Sequence, residues 1–152
     1  KNIFETTFKK EVYSDLVGER CVLMGLIQGA FKAQYSVLRE RGHSPTEAYN
    51  ETVEEALISL WPLIKDKGMD WMYANCSTTA QRGALDWAPK FENVLKPVIE
   101  ECYSEVENGN EVKKLIDINE DPKYDYKLYN ELEQISNQEM WTVAKELRKL
   151  RN

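Results

Sequence analysis

Apolar residues return at steps of three and four along almost the whole of this chain, and no stretch alternates like a half-buried strand closed by a hairpin turn. That periodicity predicts an all-α fold. From about Phe8 to Arg41, the residues Val12, Leu16, Glu19, Leu23, Leu26, Ala30, Ala33 and Val37 form one stripe of a long helix. Gly18, Gly25 and Gly29 thin the same helix at up to ~1 kcal/mol each relative to Ala, which points to close approach by another backbone. Gly42 ends it. Ser44-Pro45-Thr46-Glu47 then combines an N-cap serine, a proline at the first helical position and a glutamate three residues after the cap, so a new helix begins there. It runs to about Lys67 and is apolar nearly all round in its second half (Ala56, Leu57, Ile58, Leu60, Trp61, Leu63, Ile64). Burial of that half is expected, with Pro62 bending it.

Beyond Gly68 a short helix, Met69 to Asn75, leads to Cys76-Ser77-Thr78-Thr79. This hydroxyl cluster suits the cap of a helix from Thr79 to about Trp87, whose free N–H groups suit an anion. Pro89 to Val106 reads as a further helix with Pro97 inside it, Asn108-Gly109 as a stop, and Asn110 to Ile118 as a short helix. Asp121-Pro122 opens the last helix, which carries Leu128, Leu132, Ile135, Met140, Val143 and Leu147 to the C-terminus. The expected architecture is about six or seven helices in one domain.

Composition narrows the function classes. The chain has 152 residues, 42% of them hydrophobic, enough for one core, and 20 basic side chains stand against 26 acidic ones. A net charge of −6 with scattered basic residues argues against a general nucleic-acid surface, which needs clustered Lys and Arg. The C-terminal Lys145, Arg148, Lys149 and Arg151 read as a solvated last turn that complements the helix dipole. Cys21, Cys76 and Cys102 are odd in number and lack CxxC spacing, so they suggest neither a disulfide framework nor a zinc site, and a reducing intracellular compartment fits. The longest apolar run falls far short of the roughly 18 residues that a membrane span needs, and no signal-peptide pattern opens the chain. Starting at Lys1 rather than Met, the chain is expected to have lost or omitted something upstream.

Two acidic pairs at i,i+4, Asp15/Glu19 and Glu51/Glu55, fall on apolar-flanked faces. Glu19 lies in the first stripe, and Glu51 and Glu55 share a face with Ala48 and Ile58. Residues four apart in a helix are about 40° around the axis and about 6 Å along it, so both acids of a pair can reach one ion. Turned toward a core, such carboxylates would call for cations, and an all-oxygen set suits Mg²⁺. Similar spacings at Glu47/Glu51, Glu101/Glu105, Glu107/Glu111 and Asp117/Asp121 leave simple solvated pairs open as the alternative. The single histidine, in Glu40-Arg41-Gly42-His43, spans a helix stop and reads as a turn residue, not half of a di-iron motif. No histidine neighbours Ser77 or Cys76 in the manner of a nucleophile and its base. The tyrosines and tryptophans, Trp141 among them, read as core and interface.

Three elements then stand in order: Glu11-Val12-Tyr13-Ser14-Asp15-Leu16-Val17-Gly18-Glu19-Arg20; Gly42-His43-Ser44-Pro45 to Ala48-Tyr49-Asn50-Glu51-Thr52-Val53-Glu54-Glu55; and Cys76-Ser77-Thr78-Thr79-Ala80-Gln81-Arg82-Gly83-Ala84-Leu85-Asp86-Trp87. Together they closely resemble the C-terminal domain of ketol-acid reductoisomerase, over essentially the whole of residues 1–152, in its single-copy fungal or bacterial form. The resemblance implies that Asp15 bridges two Mg²⁺ ions and that Glu19 binds one of them. It implies that Glu51 and Glu55 complete the metal and substrate shell and that Ser77 hydrogen-bonds the substrate. It further implies a knotted domain in an interlocked homodimer, with the first acidic pair from one subunit and the second pair and serine from its partner. The family's reaction is an alkyl migration in 2-acetolactate or 2-aceto-2-hydroxybutyrate followed by NADPH-dependent reduction, in branched-chain amino acid biosynthesis. Two magnesium ions would lower the hydroxyl pKa and polarise the adjacent ketone. The expected location is cytoplasmic for a bacterial chain and the mitochondrial matrix for a fungal one. No Gly-x-Gly-x-x-Gly follows a strand here, so the NADPH-holding domain is expected to lie outside this chain, which alone is expected to be inactive. A non-catalytic helical dimerisation module is the competing reading.

Overall fold

The computed structural model describes residues 3–150, and among them every regular element is helical. Thr7 caps α1 (Phe8–Gly18) by accepting from the Lys10 N–H at 3.3 Å. The helix expected to continue to Arg41 instead widens into a π-helical turn at Glu19–Leu23 and breaks. Cys21 leaves helical geometry (φ −96°, ψ −116°), Met24 follows at φ −138°, ψ −63°, and α2 (Gly25–Glu40) starts afresh. Gly25 explains why the break is tolerated: a Cβ there would overlap the Arg20 carbonyl oxygen. The close approach predicted from glycine is thus made by the preceding turn of the same chain.

Ser44 and Glu47 form the predicted capping box, with Ser44 Oγ accepting from the Glu47 N–H at 3.3 Å and Glu47 Oε2 accepting from the Ser44 N–H at 2.8 Å. The helix they open is α3 (Pro45–Tyr49), which passes into two π-helical turns, Asn50–Glu54 and Ala56–Leu60, and then α4 (Trp61–Lys67). The second wide turn ends just before Pro62, whose ring would clash with the carbonyl four residues back in a regular α-helix. Gly68 at φ 97° closes the run. Leu57, Ile58, Leu60, Trp61 and Leu63 are exposed, against expectation. The buried side is supplied earlier, by Ala48, Tyr49, Thr52 and Val53, and a helix apolar all round is left with faces that its own unit does not cover.

After α5 (Met69–Ala74) comes one 30-residue helix, α6 (Thr78–Glu107), where two had been expected. Pro89 and Pro97 each remove one N–H from its ladder without stopping it. Gly109, left-handed at φ 83°, separates α6 from α7 (Asn110–Glu120). The expected last helix is two, α8 (Tyr124–Ser136) and α9 (Glu139–Lys149), because the chain turns at Asn137 and Gln138.

The chain divides into two compact units, residues 1–29 with 91–125 and residues 30–90 with 126–152. In the first, Tyr13 meets Tyr103 edge-on at 6.2 Å and donates to the Glu107 carbonyl at 3.4 Å. Arg20 Nε reaches Glu111 Oε2 at 2.6 Å. The second unit holds the larger core: Tyr35, Ala48, Tyr49, Val53, Met140 and Ala144, flanked by Phe31, Leu38, Trp141, Val143 and Leu147. Trp141 is therefore core, as read. Lys145 spans the α8–α9 turn by donating to the Ser136 carbonyl at 3.0 Å and hydroxyl at 2.6 Å, and Lys149 pairs with Glu146 at 2.7 Å. Arg151 lies outside the described residues.

Candidate metal centre

The first acidic pair belongs to the first unit. Asp15 sits in the last turn of α1, its carbonyl accepting from the N–H of Glu19, which begins the π-helical turn. One ordinary helical turn therefore separates them, as the spacing required. Both face solvent, correcting the expectation of a core-facing pair. The reason is the break: the stripe that placed Glu19 among apolar neighbours does not survive past Gly18, and Leu23 of that stripe is itself exposed. Arg20, next in sequence, does little to neutralise Glu19. Its guanidinium donates to Glu111 at 2.6 Å and to the Leu16 carbonyl at 3.0 Å, and stands 4.0 Å from a Glu19 carboxylate that is 50% exposed. Lys114, at 2.6 Å, is the larger influence that holds the Glu111 carboxyl below its ordinary range, and Arg20 adds to it. The Asp15 side chain has no hydrogen bond or ion pair among the described residues.

The second pair belongs to the second unit, with Glu51 in the π-helical turn Asn50–Glu54 and Glu55 directly after it. Thr52 and Val53 are buried and anchor the inner side of that turn, so Glu51 and Glu55 are presented outward, again toward solvent and not toward the core. The Asn50 amide ties them together, donating to Glu55 Oε1 at 3.0 Å and to Glu51 Oε1 at 3.2 Å. Neither Oε2 has a hydrogen bond among the described residues. Sequence reasoning missed Asn50, because residues 50 and 55 share a face only when the turn closes i→i+5.

Ser77 is exposed at the start of α6. Its Oγ accepts from the Ala80 N–H at 3.2 Å, the capping role read from the hydroxyl cluster, and its O–H proton stays available to a ligand. Gln81 closes the turn by donating to the Cys76 carbonyl at 3.0 Å. His43 is an exposed turn residue as read, its N–H bonded to the Leu38 carbonyl at 3.1 Å.

Among the described residues no three acidic, histidine or cysteine side chains converge on one point. Each pair offers two carboxylates, exposed and weakly compensated, an oxygen donor set that fits a hard divalent cation. Each is short of the six oxygens that magnesium takes.

The family model "Ketol-acid reductoisomerase, C-terminal domain" matches residues 8–152. The mitochondrial ketol-acid reductoisomerase of Saccharomyces cerevisiae is 59% identical over 149 residues, covering 98% of this chain and 38% of that protein. The ketol-acid reductoisomerase (NAD(+)) of Desulfosudis oleivorans is 56% identical over 149 residues, 98% of this chain and 42% of that one. A solved NADH-preferring ketol-acid reductoisomerase from an uncultured archean superposes with a TM-score of 0.82 at 31% identity, covering 95% of this chain and 43% of that chain. The chain thus spans less than half the length of these relatives. With its three ordered sequence elements on the helices described and the match running nearly end to end, the chain belongs to the family of ketol-acid reductoisomerase C-terminal domains.

Proposed function

We propose that this chain supplies the metal and substrate half of a ketol-acid reductoisomerase, acting on 2-acetolactate and 2-aceto-2-hydroxybutyrate in valine and isoleucine biosynthesis. Asp15, Glu19, Glu51 and Glu55 would hold two Mg²⁺ ions, which supply Lewis-acid stabilisation of adjacent hydroxyl and ketone oxygens during alkyl migration. Ser77 orients the substrate through its O–H, its lone pair being held by the Ala80 N–H. The observation that carries the reading is the Glu51/Glu55 pair, joined through Oε1 by one amide and left with Oε2 unbonded. Nucleotide binding falls to a dinucleotide-binding domain outside residues 1–152, and this chain alone is inactive in reduction. NADPH and NADH both lie within the family's range, since relatives are named for NAD(+) or NADH and, in Haloarcula marismortui, for NADP(+). The yeast relative's name supports a mitochondrial location for a fungal chain, within which the matrix is the proposed site, and a bacterial one would act in the cytoplasm.

The partner is a second copy of the chain, in a knotted, interlocked homodimer. Each acidic pair is then half a site, completed across the dimer. One feature supports this: the apolar faces of α4 and α6 are left exposed. Calorimetric titration with Mg²⁺ tests the assignment. The wild-type chain should bind and Asp15→Ala should lose at least tenfold in affinity, whereas equal binding by both would refute the role of Asp15.

A further inference from the structure

The Asn50 amide reaches both carboxylates of the second pair, at 3.0 Å and 3.2 Å. Residues five apart stand about 140° from one another around an ordinary α-helix, so Asn50 and Glu55 would point to different faces. Here the Glu55 N–H bonds to the Asn50 carbonyl, and this wider ring turns Glu55 back over Asn50. The main chain beneath is fixed twice. Thr52 and Val53 are buried, and Gln34 on α2 donates to the Glu51 carbonyl at 2.9 Å. Two flexible glutamates are thus tied to an amide whose own backbone is anchored on the core.

The side-chain type at position 50 matters as much as its place. Two ionised carboxylates drawn together repel, so a group that holds both should donate protons without cancelling their charge. Lysine would neutralise one carboxylate and compete with a cation, and aspartate would add a third negative charge and no donor. A carboxamide nitrogen carries two N–H groups, one for each acid, and leaves the pair with its full double negative charge. It engages Oε1 of each and leaves Oε2 of each unbonded.

We infer that Asn50 is a positioning residue that preorganises Glu51 and Glu55 for a divalent cation. The inference rests on the proposed metal reading and assigns to a neutral neighbour the orientation of its ligands. The test uses the full chain as wild type, Asn50→Ala, Asn50→Leu and Glu55→Gln, titrated calorimetrically with Mg²⁺, together with the electron paramagnetic resonance spectrum of bound Mn²⁺. Both Asn50 substitutions should weaken Mg²⁺ binding about tenfold or more and change the Mn²⁺ spectrum. The metal-free melting temperature should hold, since Ala and Leu are better helix formers than Asn. Wild-type affinity and spectrum in either folded Asn50 variant, with Glu55→Gln weakened, would overturn the role of Asn50 and leave the metal reading standing. Wild-type binding by Glu55→Gln, or no binding by the wild type, would overturn both.

Discussion

Glu139 accepts two hydrogen bonds from Arg39, at 2.7 and 3.2 Å, and one from the Tyr35 hydroxyl at 2.7 Å, joining α2 to the first turn of α9. The Arg39 guanidinium, with Tyr35 adding to it, holds the Glu139 carboxyl below its usual value of 4.5. A carboxylate with a depressed pKa in the folded state contributes stability that is present above its unfolded value and lost as pH falls through the folded one. Chemical denaturation from pH 6 downward should therefore show wild type weakening from about pH 4.5. Glu139→Gln should show a shallower decline; Glu47 and Glu111, also depressed, keep part of it in place. Burial, reinforced by Glu139, pushes the Tyr35 hydroxyl up to about 12. Its contribution is complete below the ordinary 10 and disappears as pH rises toward 12, so Tyr35→Phe should flatten the alkaline limb of the same curve.

At the scale of elements, the wide turns are what the chain's periodicity could not reveal. The capping box at Ser44 and Glu47 was legible because it depends on residues three apart and on nothing else in the fold. So was the stop at Gly109, whose φ of 83° few other residues adopt. The π-helical register at Glu19–Leu23 and Asn50–Glu54 was not, since a 3.6-residue template assigns those residues to the wrong face, and both acidic pairs were turned inward on that account. Pro89 was read as a boundary because it commonly is one, but losing one donor does not stop a helix that continues on both sides. Gly25 separates these cases experimentally. Gly25→Ala places a Cβ on the Arg20 carbonyl and should destabilise by roughly 1–3 kcal/mol, although alanine is the better helix former. Ser44→Ala should cost about 1 kcal/mol through its cap alone. Urea denaturation of the two variants should give that order, and a neutral Gly25→Ala would show that the break at Met24 does not depend on the close approach.

For the molecule as a whole, the weight falls on surface that one chain leaves bare. Phe91, Val94 and Val98 repeat at steps of three and four on α6 and are each more than half exposed. Obligate interfaces bury roughly 2,000–5,000 Å² and resemble a core cut in two, and an apolar helical stripe of this kind is what such an interface would cover. Burying a valine contributes about 1.5–3 kcal/mol, and a glutamate in its place adds the desolvation of an unpaired charge. If the chain pairs with a second copy as proposed, Val94→Glu with Val98→Glu should weaken that self-association at least a hundredfold, or about 3 kcal/mol, which sedimentation equilibrium would read as a shift from dimer to monomer. The same double variant leaves Asp15, Glu19, Glu51 and Glu55 in place. If each pair is half a site, its Mg²⁺ affinity should fall together with its dimerisation, and raising the protein concentration until dimers re-form should restore it. A monomeric variant that binds Mg²⁺ as tightly as the wild type would mean that one chain holds the whole site.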